Sequence, residues 1–206
     1  MTHDTHQPWE GRTGEFSPTY YAYKGANGTS ETLRDLLVAR VGRDASVLEV
    51  GCNVGRHLAY LHDAGFTDLT GVDINPAAVT KLQETHPSLA AAGQFRVGDI
   101  AAVAGQLPAG AFDVVYSVES LQHVPDDGRV FDDVARAAGD LLVTVENERA
   151  APAKSTVESP DGDLSIYHRD WHEIFTSRGL GAVAVADEGR DMLRAFAPET
   201  SRRLTG

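Results

Sequence analysis

The stretch Val47-Leu48-Glu49-Val50-Gly51-Cys52-Asn53-Val54-Gly55-Arg56-His57-Leu58 decides how this chain folds. A short apolar run, broken by one carboxylate, enters a turn punctuated by two glycines, and an amphipathic segment follows. The run reads as a buried parallel strand, and the change to helical spacing behind it marks a strand–loop–helix unit of an open α/β sheet. Gly51 lets the chain turn and leaves bare backbone for a ligand to lie against. Gly55 opens the helix with no side chain in the way.

The next unit repeats the form. Leu69-Thr70-Gly71-Val72-Asp73-Ile74-Asn75-Pro76 is a strand closed by an acid, with Pro76 suited to the first turn of a helix. An acid at a strand end about 20 residues past a glycine loop is where a ribose diol is gripped. Nicotinamide dinucleotides and S-adenosylmethionine both use this geometry. The dinucleotide fingerprint requires glycine at its first, third and sixth positions, so that a pyrophosphate can rest on a helix N-terminus. Gly51, Asn53 and Arg56 stand there, so two of these positions fail. Glu49 would repel a pyrophosphate, and it suits the ammonium and sulfonium charges of S-adenosylmethionine.

Two further strands follow in order. Phe95-Arg96-Val97-Gly98-Asp99-Ile100 again ends in an acid, placed to accept from an adenine amino group. Ala111-Phe112-Asp113-Val114-Val115-Tyr116-Ser117 leads into Val118-Glu119-Ser120-Leu121-Gln122-His123-Val124-Pro125. The succession VLEVGCNVG, GVDINP, VGDI and FDVVYSVESLQHVP resembles class I S-adenosylmethionine-dependent methyltransferases, strongly over residues 45–125 and more loosely beyond. Many members of that family have glycine where this chain has Asn53. Asparagine tolerates left-handed torsions better than other side chains, so the turn survives. The GCNxG form is similar to a subset of small-molecule and sugar methylases, including those associated with pseudaminic acid biosynthesis.

Composition agrees. A chain of 206 residues holds one sizeable α/β core. No apolar run is long enough to cross a bilayer, and the polar start, Thr2-His3-Asp4-Thr5-His6, is unlike a secretory signal. A single cysteine, Cys52, allows no internal disulfide, and a cytoplasmic location is expected. No cysteine–histidine cluster has zinc spacing, so no metal is expected; His3 and His6 are expected to be disordered. The net charge of −12 argues against a nucleic-acid surface. No membrane partner is expected, and the oligomeric state is open.

The expected fold is α/β: a Rossmann-like, seven-stranded, mostly parallel sheet with helices on both faces. The resemblance adds a C-terminal antiparallel hairpin. Residues 1–28, aromatic and rich in glycine and proline, read as a loop or lid, and residues 29–206 as the S-adenosylmethionine-binding domain. Leu33, Leu36, Leu37 and Val41 fall at helical spacing before Gly42. Strands are expected at 46–50, 69–73, 94–97, 112–117, 140–145, 182–186 and 192–197, and helices at about 55–64, 76–85, 128–138 and 170–178. An irregular stretch holds Pro152, Pro160 and Gly162.

The expected cofactor residues are Glu49, Gly51, Cys52, Asn53, Gly55, Asp73, Ile74, Asp99, Ile100 and Ser117. Asp73 is read as the ribose ligand rather than a helix cap; for Asp99, cap and adenine contact stand closer together. Glu49 either orients the loop or reaches the methionine ammonium through water. His123, beyond the fourth strand, is the candidate general base, with a local structural donor as its plainer role. Glu119 and His168 are rivals for the base. Substrate contacts are expected from Tyr20, Tyr21, Glu146, Tyr167, His168 and Arg169, the last facing a carboxylate or phosphate or else making a structural salt bridge. Asp170 is a helix cap. The resemblance therefore implies methyl transfer to oxygen or nitrogen of a small polar molecule, sugar-like or carboxylate-bearing. A non-catalytic module holding S-adenosylmethionine or S-adenosylhomocysteine is the alternative.

Overall fold

The computed structural model describes residues 7–125, 129–148, 156–158, 165–199 and 201. His3, His6, Pro152, Pro160 and Gly162 lie outside them. A seven-stranded sheet runs in the order β3-β2-β1-β4-β5-β9-β8. Its parallel members are β1 (Ser46–Val50), β2 (Asp68–Asp73), β3 (Gln94–Val97), β4 (Phe112–Val118) and β5 (Ala138–Asn147). β9 (Asp191–Pro198) runs antiparallel to β5, and β8 (Leu180–Glu188) antiparallel to β9, so the hairpin closes the sheet as expected.

Side chains alternate across each strand, so one sheet builds two cores. Val47, Val114, Leu141 and Val143 pack with Leu33 and Leu37 of α3 (Gly28–Arg40), Leu58 and Leu61 of α4 (Arg56–Asp63), and Leu82 of α5 (Pro76–Thr85). Leu48, Val115 and Leu142 face the other way, onto Ala104 of α7 (Ile100–Ala104), Phe131 and Val134 of α8 (Val130–Ala137), and Trp171 and Phe175 of α9 (Trp171–Thr176). The strand order reverses between β1 and β4, which opens a crevice at their carboxyl ends.

Several short elements carry no readable period. These are α1 (Gln7–Glu10) and α2 (Pro18–Tyr21) in the segment read as loop, α6 (Pro87–Ala92), α7, and the ribbon of β6 (Thr156–Glu158) with β7 (Ile166–His168). A helix of one turn shows no face, and local caps decide it instead: Ser17 Oγ accepts from Tyr20 N–H, and Asp99 from Ala102 N–H. β5 outruns its expected end at Val145 because Glu146 and Asn147 pair with Met192 and Asp191. Their polar side chains hid that extension from a reading of hydrophobicity.

Candidate functional site

A cavity of about 320 Å³ opens at the crevice. Its floor is the turn between β1 and α4. The Gly51 and Cys52 amides both donate to the Val72 carbonyl, at 2.8 and 3.0 Å, strapping the turn to β2. Gly51 has φ +73°, and a Cβ there would fall 1.8 Å from Ser120 Oγ, so no side chain fits. Asn53 takes φ +47°, the left-handed torsion expected of it. Gly55, at φ +74°, does not line the cavity; a Cβ on it would meet Leu82 Cδ1 at 2.5 Å, so it serves the packing of α4 on α5.

Three carboxylates stand along this rim. Asp73 Oδ2 accepts from Asn53 N–H at 2.7 Å and Oδ1 from Asn75 N–H at 2.8 Å, so the side chain braces two loops while lining the cavity. Asn75, not Asp73, caps α5. Asp99 caps α7 and also faces the cavity. Glu49 is 2 % exposed, and its Oε2 has no hydrogen-bond partner. Burial pushes its pKa up to about 8, against the pull of Tyr116 and Arg56. Cys52, Ile74 and Ile100 complete this half of the wall.

The other half is built by the loop after β4 and by the amino-terminal segment. His123 ends a one-turn 3-10 helix, Leu121–His123, and its Nδ1 lies 2.8 Å from the Ser165 carbonyl. A carbonyl only accepts, so Nδ1 carries the proton and Nε2 keeps its lone pair. Burial lowers the His123 pKa, which keeps the ring neutral. Trp9 of α1 tilts over it with ring centroids 4.7 Å apart, and the Trp9 carbonyl accepts from Asn75 Nδ2 at 3.0 Å. Phe16, Tyr21, Val124 and Ile166 add apolar wall. Burial, then Glu119, raises the Tyr21 phenol to about 12, so it stays a neutral donor. At the mouth Glu119 pairs with Arg190, which also bonds Asp191 at 3.3 Å.

The remaining expected residues sit elsewhere. Glu146 is wholly buried: it accepts from Ser117 Oγ at 2.6 Å and from the amides of Ser120, Leu121 and Gln122 at 3.1–3.3 Å. It holds the loop and does not face the cavity, and Ser117 lies beneath the loop with it. Arg169 is likewise structural, donating to the carbonyls of Leu121 at 3.1 Å and Val124 at 2.7 Å. Its guanidinium packs over Tyr167, Phe131 and Trp171. Tyr167 is thereby turned to a packing role, and His168 is 4 % exposed, off the cavity wall. Tyr20 faces a separate surface groove beside Lys24. Glu146 and Arg169 share a physical reason: Glu146 at the end of β5 and Arg169 after β7 both turn onto the His123 loop, where their polar groups satisfy its backbone. Asp170 caps α9, as expected.

Arg12 and Arg190 line the cavity without having been singled out from the sequence, and Trp9, Phe16, Arg56 and Ile166 line it without having been given a site role of their own there. Arg56 was visible as the first helical residue of the opening motif. Gly189-Arg190-Asp191 carries a turn signature, but nothing local says which strand end it reaches. Among the described residues no cluster of three or more metal-ligating side chains occurs, and no helix is long and apolar enough to cross a membrane.

Residues 48–139 match the family model described as a methyltransferase domain. Over 108 residues, half of this chain, 38 % are identical to 2-methyl-6-phytyl-1,4-hydroquinone methyltransferase from Synechocystis. A probable tocopherol O-methyltransferase from Oryza sativa is 27 % identical over 61 % of the chain. The matches span 33 % and 38 % of those relatives' own lengths. Among solved structures, an S-adenosylmethionine-dependent methyltransferase from Mesorhizobium loti superposes with a TM-score of 0.64 at 17 % identity, covering 82 % of this chain and 98 % of that one. Magnesium protoporphyrin IX methyltransferase from Synechocystis, solved with S-adenosylmethionine, gives 0.63 at 19 % identity over 88 % and 90 %. These two likenesses speak for the fold.

Proposed function

We propose that residues 48–139, which match a methyltransferase-domain model, form a class I S-adenosylmethionine-dependent methyltransferase domain, and that the chain methylates a hydroxyl oxygen of a small molecule with a flat, largely apolar body. The observation that carries the proposal is a neutral His123 in the aromatic wall of the cavity, its Nε2 lone pair met only by the Gln122 side-chain amide in a long contact of 3.4 Å that an acceptor hydroxyl can displace.

The cavity fits the cofactor. An uncompensated buried carboxyl oxygen on Glu49 suits a cation, and the bare backbone at Gly51, where a Cβ would clash, suits close approach of a ligand. Asp73 would hold the ribose diol, Asp99 and Ile100 the adenine edge, and the Gly51–Asn53 backbone the thioether end. When bound, S-adenosylmethionine supplies a methyl on a positive sulfur, open to in-line displacement.

The chain's own residues supply alignment, dryness and a proton acceptor. His123 Nε2 takes the acceptor's hydroxyl proton as the oxygen lone pair forms its bond to carbon; the electrons of the broken carbon–sulfur bond stay on sulfur. Trp9 and Phe16 cover the approach and exclude water, which strengthens each polar contact inside. Tyr21, held protonated, donates to the acceptor. The aromatic wall favours a phenol-like ring over a sugar. The hydroquinone and tocopherol methyltransferases among the relatives support the same class of acceptor.

Titration with S-adenosylhomocysteine and with NADH tests the premise. Binding of the first alone is expected, and binding of NADH alone would overturn it. A panel of simple hydroquinones and hexoses with labelled methyl donor then tests the acceptor: label is expected on the phenols, and label confined to the sugars rejects that half. Asp73→Ala is expected to weaken S-adenosylhomocysteine binding by about 1–3 kcal/mol, since it removes a diol acceptor and leaves two backbone donors unmet. Unchanged affinity by calorimetry removes Asp73 from the ribose role.

A further inference from the structure

We propose that Gln122 selects oxygen over nitrogen as the atom methylated: its side-chain amide, locked beside His123, donates to the acceptor oxygen whose proton His123 removes. This role rests on the hydroxyl methylation proposed above.

Gln122 is 2 % exposed and lines the cavity. The end of β5 holds it at two points. Its backbone N–H donates to Glu146 Oε2 at 3.2 Å, and Asn147, the next residue of the strand, donates its own N–H to Gln122 Oε1 at 2.8 Å. A backbone N–H only donates, so the carboxamide turns its oxygen to Asn147 and its nitrogen the other way. That nitrogen, Nε2, lies 3.4 Å from His123 Nε2. His123 Nδ1 already gives its proton to the Ser165 carbonyl, so His123 Nε2 is a bare lone pair and Gln122 points a donor at it. Such a contact is long for a hydrogen bond and is readily exchanged for a better one.

An acceptor group that displaces this contact meets two demands at once. It gives a proton to His123 Nε2, and it receives an N–H from Gln122 Nε2. A hydroxyl oxygen has two lone pairs beside its proton. One forms the bond to the methyl carbon, and the other accepts from Gln122. As His123 takes the proton, negative charge gathers on the oxygen, and a donor already fixed in place stabilises it. The electrons of the broken carbon–sulfur bond stay on sulfur. A neutral amine nitrogen has a single lone pair, and the new bond to carbon uses it. Positive charge then gathers on nitrogen, facing the positive end of the Gln122 N–H dipole. The side chain that helps oxygen therefore opposes nitrogen. A carboxamide free to flip could offer its oxygen to an amine, but here a flip would set donor against donor at Asn147.

4-Aminophenol carries both atoms on one flat ring, so incubation with labelled methyl donor reads the choice directly. Wild type is expected to form 4-methoxyaniline well in excess of 4-(methylamino)phenol. Gln122→Met keeps a similar volume without the donor. Its oxygen-to-nitrogen product ratio is expected to fall roughly 10–100-fold, the worth of one hydrogen bond to a developing charge. Gln122→Glu keeps an oxygen for the Asn147 N–H, which guards against a folding defect, and it replaces the donor with an acceptor. Its ratio is expected to turn towards nitrogen. General damage to the site slows both products together and leaves their ratio alone, while S-adenosylhomocysteine affinity by calorimetry reports on the cofactor end. A wild-type ratio in both variants sinks the inference alone and assigns Gln122 to holding the loop. A wild type that makes only the N-methyl product overturns the hydroxyl reading and this inference with it.

Discussion

His123→Ala is expected to lower turnover roughly 10²–10⁴-fold, the usual worth of a positioned general base, while leaving S-adenosylhomocysteine affinity close to that of wild type. The geometry separates the two effects. Asp73, Glu49 and the Gly51 turn line the cavity from the ends of β1 and β2, whereas His123 lines it from the loop after β4, tied by Nδ1 to the Ser165 carbonyl. The pH profile makes the role specific. Burial holds the His123 pKa below its ordinary value of about 6.5. The base form is present above that depressed pKa and is lost as pH falls through it, so the acid limb of kcat/KM lies on the acidic side of neutrality. The variant should lack this limb. Turnover at the wild-type rate, or an unchanged limb, would assign His123 to packing under Trp9.

Glu146→Ala carries the second large effect, on stability. One carboxylate receives a hydroxyl and three amides of the His123 loop, all but the Ser120 bond shut away from water. Its removal strands those donors at about 1–3 kcal/mol for each that finds no new partner, and some relaxation is expected, so the loss should total about 2–5 kcal/mol. For a domain of this size that lowers Tm by roughly 5–15 °C. Glu146→Gln is the informative companion. Its oxygen can replace Oε1, which takes Ser117, Ser120 and Leu121, but its amide then faces the Gln122 N–H, donor against donor. An intermediate loss is expected. A thermal melt of Glu146→Ala matching wild type would show that Arg169 holds the loop without help.

Both predictions concern the loop after β4, and there the limits of sequence reading are plain. His123 was legible because it follows a strand end in register with the glycine turn. Glu146 and Arg169 were legible only as polar residues in an irregular region, and the expectation that they meet substrate was mistaken. A charge looks the same in sequence whether it faces a ligand or a buried amide. The amino-terminal segment shows the same limit: its aromatic composition marked it as a cover, yet only packing sets Trp9 against His123 and its carbonyl on Asn75.

Sequence alone determined the parallel strands, the ends of the first three and the carboxylates beside them. Those features depend on local rules: apolar runs form buried strands, glycines permit left-handed turns, and a strand's last residue has one place to go. Tertiary structure alone decided which distant groups share the cavity. Arg190 arrives from a hairpin that pairs with β5, Gln122 is fixed by a backbone amide 25 residues away, and Glu146 points inward. Such contacts arise from the packing of whole elements, and packing depends on side chains far apart along the chain, which no local pattern records.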